Sequence, residues 1–70
     1  MNLPRSLYIA GIRVTAQKIV GSCSDYQIIY CARKARVLVT NVPLPGGLDT
    51  SLDEMNDYDL IAIYDWMNRQ

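Results

Sequence analysis

The chain has no histidine and no phenylalanine, and only two cysteines and one tryptophan, in 70 residues. Each shortage excludes something. Without histidine the commonest general base and the commonest metal ligand are missing, so Ser-His-Asp chemistry and histidine metal centres are out. Two cysteines cannot build a disulfide framework, and without histidine they are a poor start for a zinc site. No run of about 18 apolar residues is present, so no transmembrane helix is expected. The apolar stretch Leu7–Ala10 is too short for a secretory signal and runs into Arg13. We therefore expect a cytoplasmic protein with Cys23 and Cys31 reduced.

Half of the residues are apolar and a fifth are charged, as in an ordinary folded domain. At this length we expect one domain with a thin stability margin. The strongest punctuation is Pro43-Leu44-Pro45-Gly46-Gly47, which no regular element crosses.

Before that break the pattern reads as strand. Tyr8, Ala10, Ile12, Val14 and Ala16 share one parity, Tyr26, Ile28 and Tyr30 another, and Val37 and Val39 a third. The segments are rich in β-branched and aromatic residues. After the break, Ser51-Leu52-Asp53-Glu54 resembles a capping box opening a helix. Leu52, Met55, Leu60, Ala62, Ile63, Tyr64, Trp66 and Met67 form its apolar face, with Trp66 as its anchor. Asn56 and Asp59 interrupt that face, so the helix is open to a break, with Asp59 capping a second segment. A fourth strand over 60–64 is the rival reading. The expected fold is α+β: a three-stranded antiparallel β-meander over 7–42, four-stranded on the rival reading, a Pro/Gly loop over 43–50, and a C-terminal helix over 51–69 packed on one sheet face. The sheet's other apolar face is then left for a partner, a second copy included.

The formal net charge is zero, but it is unevenly spread. Residues 1–47 hold six basic side chains against Asp25 alone, and residues 48–70 hold six acidic ones against Arg69. Arg33, Lys34 and Arg36 crowd a short connection between two expected strands. Asp53, Glu54 and Asp57 crowd the helix start, where Tyr58 falls off the apolar stripe. The acidic stretch lacks the EF-hand pattern, and Pro45-Gly46-Gly47 lacks the Lys-Ser/Thr of a phosphate loop.

No catalytic constellation emerges, and no cofactor or metal is expected. The favoured function is a protein-binding module, an inhibitor or regulatory accessory of a larger machine, of the kind phages and mobile elements carry. Its candidate contacts are Arg33, Lys34, Arg36, Asp53, Glu54, Asp57 and Tyr58. The alternative is a nucleic-acid-binding protein using a basic hairpin at 33–36, with Tyr26 or Tyr30 stacking on bases. The second alternative is a homo-oligomeric structural subunit, a homodimer in its simplest form.

Overall fold

The computed structural model describes residues 3–21, 24–40 and 50–70, and these are helical where the sequence reads as strand. Helix α1 spans Arg5–Ile19, α2 spans Asp25–Lys34 and α3 spans Asp57–Asn68, with a single 3-10 turn at Leu52–Glu54. No β-strand occurs among the described residues. The α+β meander over 7–42 is thus overturned: two of its strands are α1 and α2, and the described part of the third, 37–40, is irregular. The Pro/Gly break at 43–47 and Cys23 lie outside the described residues.

The reason lies in the burial pattern. Of the even-numbered apolar residues in α1, Tyr8, Ile12 and Ala16 are buried, while Ala10 and Val14 are exposed. A period of four is contained in a period of two, so a helix stripe can pass for strand alternation. Ile9 fills in the buried stripe, as an i, i+1, i+4 helix face requires. In α2 the buried set is Ile28, Ile29 and Ala32, a helical spacing that strand parity separates.

Turn chemistry fixes the ends. Pro4 precedes α1, and its carbonyl accepts from Leu7 N at 3.0 Å. Gly21 follows with φ of 77°, a conformation that costs an L side chain on the order of 1–2 kcal/mol. Ser24 then caps α2 by accepting from Gln27 N at 3.2 Å. Helix α2 closes with a Schellman motif: Val37 N donates to Ala32 O at 2.9 Å, Arg36 N donates to Arg33 O at 3.1 Å, and Arg36 takes φ of 58°.

The expected helix over 51–69 is split. Ser51 leads only the 3-10 turn and makes no side-chain cap hydrogen bond. Asn56 is the working cap, accepting from Asp59 N at 2.9 Å. A break was anticipated, but it falls at Met55–Asn56 rather than at Asp59. Residues 60–64 lie within α3, which removes the fourth strand.

The core is one cluster. Ile12, Ala16, Ile28, Ala32, Leu52, Leu60 and Ile63 retain no accessible surface, with Met55 and Met67 close behind. Trp66 is only partly buried and packs against this cluster from its edge rather than anchoring it. α1 packs chiefly on α3. Gly11 permits the approach: a Cβ there would lie 3.0 Å from Tyr64 Cε2, and Tyr64 meets Tyr8 edge-on at 4.9 Å between ring centroids.

Polar ties hold the irregular segments to this core. Asp59 is buried, and both its oxygens are engaged. Oδ1 accepts from Val39 N at 2.8 Å and Thr40 N at 3.1 Å. Oδ2 accepts from Thr40 Oγ1 at 2.8 Å and Asn56 Nδ2 at 3.1 Å. Burial pushes its carboxyl pKa up, but the hydrogen bonds from the Thr40 side chain, the Val39 and Thr40 amides and Asn56 outweigh it and hold the group below the usual carboxylate range. Asp25 receives a bidentate pair from Arg13, at 3.2 and 3.1 Å, and also accepts Leu52 N at 3.0 Å. Arg5 pairs with Asp57 and donates to Met55 O at 2.6 Å and Asp53 O at 3.2 Å.

Two expectations follow. A carboxyl whose pKa is depressed by folding adds stability that is full above its unfolded value, about pH 4, and is lost as pH falls through the folded value. Asp59→Asn should cost about 1–3 kcal/mol at pH 7. In urea titrations, the gap between parent and variant should narrow below about pH 4; a gap independent of pH would show that Asp59 is not ionised in the fold. Gly11→Leu should cost about 1–3 kcal/mol by prising α1 from α3, read as a lower unfolding midpoint.

Candidate binding face on the second helix

The division of α2 into an inside and an outside creates the face. At about 100° per residue, burying Ile28, Ile29 and Ala32 turns positions 26, 27, 30, 33 and 34 outward. Tyr26 and Tyr30 are 48% and 45% exposed, with rings nearly parallel and centroids 6.2 Å apart. Lys34 Nζ lies 5.4 Å from the Tyr30 ring centroid, a cation–π contact. The three residues recur every four positions and form one row along the helix. Strand parity had grouped Tyr26 and Tyr30 with Ile28; the helix instead buries Ile28 and groups the tyrosines with Lys34.

Arg33, Lys34 and Arg36 are all exposed, and the structure brings them together as the sequence anticipated. The setting differs: they close a helix and its Schellman turn, not a hairpin tip. Cations suit this end, since the helix macrodipole is negative there. Among the described residues, none of the three forms an ion pair with a carboxylate. The one acidic residue in α2, Asp25, is turned to Arg13 and Leu52 N.

Arg36 stands in the left-handed region, where glycine is the usual occupant. Keeping a long side chain there costs about 1 kcal/mol against glycine. Such a cost persists where the surrounding structure fixes the conformation, as the two Schellman hydrogen bonds do here.

The acidic candidates also meet, but elsewhere. Asp53 and Glu54 are exposed on the 3-10 turn, and Asp57 opens α3 in a half-exposed pair with Arg5. Tyr58, one residue on, is 74% exposed. Basic and acidic candidates thus ride on different elements. Reading the sequence missed the Tyr26–Tyr30–Lys34 row, although its four-residue spacing was present, because that row has meaning only on a helix.

No group of three or more potential metal ligands occurs among the described residues. Cys31 is half-buried and forms no disulfide among them. No helix among them is long and apolar enough to cross a membrane. Comparison with protein families, with characterised proteins and with solved structures finds no match for this chain.

Arg36→Gly isolates what the strained position is for. It should raise stability by about 0.5–1 kcal/mol, seen as a higher denaturation midpoint. An unchanged or lower midpoint would mean that the arginine itself contributes to the fold.

Proposed function

We propose that this is a small, non-catalytic nucleic-acid-binding protein that presents α2 to duplex DNA. The observation that carries the reading is the row Tyr26, Tyr30, Lys34 on the open side of α2, continued by Arg33 and Arg36. Three supports converge on it. Only five residues, 20–24 with Gly21 among them, separate α1 from α2, a spacing close to that of helix-turn-helix units, where the second helix enters the major groove and the first crosses the backbone. The exposed side chains of α2 combine hydrogen-bonding groups, Gln27 and two tyrosine hydroxyls, with cations that can hold phosphates. The exposed acids of the 3-10 turn and the start of α3 ride on other elements, so a net charge of zero does not prevent local attraction.

A second reading, a protein-binding module, rests on Tyr58. An aromatic this exposed, beside Asp53, Glu54 and Asp57, has the composition of an interface anchor with a charged rim. It is independent of α2.

Fluorescence anisotropy with labelled duplexes tests the first reading. Affinity should fall steeply between 50 and 200 mM salt, as counterion release requires. Replacing Arg33, Lys34 and Arg36 together with Ala should weaken binding across sequences and reduce the salt slope by about 2–3 units. Tyr26→Ala should weaken binding with the slope nearly unchanged. No binding by the parent at 50 mM salt would defeat the proposal. Capture of a partner from nuclease-treated lysate that is lost in Tyr58→Ala, but kept in the triple variant, would establish the second reading instead.

A further inference from the structure

The solvent side of α1 carries an apolar row that no other described residue covers. Leu7 is 54% exposed, Val14 is 58% exposed, and Ala10 between them is also exposed. Leu3, just ahead of Pro4, is exposed as well. Within α1 the spacing 7, 10, 14 runs three then four, the heptad rhythm of a helix that seats against another helix. On the helical wheel this row lies opposite the buried face of Tyr8, Ile12 and Ala16, so the intramolecular core cannot reach it. No charged side chain stands in the row. Both arginines on α1 are drawn to other elements: Arg5 to the start of α3, and Arg13 to Asp25.

We infer that a second copy of this chain occupies the row, with the two α1 helices antiparallel. The row is self-complementary under a two-fold axis. An axis placed beside Ala10 sets Leu7 of each copy on Val14 of the other, a large side chain against a smaller one at both ends. Ala10, the smallest member, falls at the crossing, where helix axes must approach to about 8–10 Å. A parallel pair lacks this match, because Leu7 would meet Leu7, and Val14 would meet Val14. Together with the stems of Gln17 and Lys18, the row makes a patch smaller than the roughly 1,000 Å² of a stable specific interface. Association is therefore weak and shows only at high protein concentration. This dimer needs neither the α2 face nor any ligand, so it stands apart from the function proposed above.

Sedimentation equilibrium of the full chain from 1 µM to 1 mM tests it, with far-UV circular dichroism to check folding. The parent should shift from monomer to dimer across that range. Leu7→Glu, at an exposed position, should keep its helicity and weaken dimerisation at least tenfold. Adding Val14→Lys in the same chain places Glu opposite Lys twice across the axis, and should recover a substantial part of the lost affinity. In a parallel pair the same double variant sets Glu against Glu and Lys against Lys, and stays monomeric. A parent that remains monomeric at 1 mM overturns the proposal. So does a Leu7→Glu variant that dimerises like the parent, or a double variant no better than Leu7→Glu alone.

Discussion

The carboxylate of Asp59 is the constraint around which the second half of this chain is arranged. A charge in an apolar setting is tolerated only when its oxygens are fully used. Here they are used on the backbone amides of Val39 and Thr40 in the irregular stretch after α2, on the Thr40 hydroxyl, and on the Asn56 amide. Asn56 in turn caps the helix that carries Asp59. The stretch leaving α2 and the residue that starts α3 are therefore fixed by one side chain. Because Val37 also closes the Schellman turn, the end of α2 and its basic side chains inherit their position from that anchor.

A similar economy appears twice more. Asp25 joins α1, through Arg13, to the amide of Leu52, so the start of α2 and the 3-10 turn share one carboxylate. Arg5 gathers two backbone carbonyls and Asp57 at the opening of α3. In a chain whose apolar core is a single cluster of small extent, these ties set the course of irregular segments that hydrophobic burial alone leaves undirected. They also account for part of the charge distribution: Arg5, from the basic half, pairs with Asp57 of the acidic half, and Arg13 with Asp25, the acid within its own half.

How much of this was readable from the sequence varied with the kind of signal. The helical character of 60–69 was legible, because Leu60, Ile63 and Met67 repeat every three to four residues. α1 was not: Tyr8, Ile12 and Ala16 share the parity a strand would give them, and the exposure of Ala10 and Val14 with the burial of Ile9 distinguishes the two. α2 was disguised by β-branched and aromatic residues, whose strand preference is weaker than the packing of Ile28, Ile29 and Ala32. Clusters defined by adjacency survived the wrong secondary structure. Arg33, Lys34 and Arg36 are neighbours in any conformation, and so are Asp53, Glu54 and Asp57. What depended on periodicity, the joining of Tyr26 and Tyr30 to Lys34, was lost with it. Asp59 looked like an interruption in an apolar face, because its partners lie about twenty residues upstream.

The separation of α2 into two sides has a consequence for how the protein can change over generations. Tyr26, Gln27, Tyr30, Arg33 and Lys34 project from a helix whose hold on the fold comes from Ile28, Ile29 and Ala32. Substitutions among the outer residues pass without disturbing a core atom, so they can accumulate with little loss of stability. Whatever this face recognises, its preference is free to drift while the scaffold stays constant. Closely related chains should therefore vary most on the outer face of α2 and least at Asp59, Asn56 and Thr40.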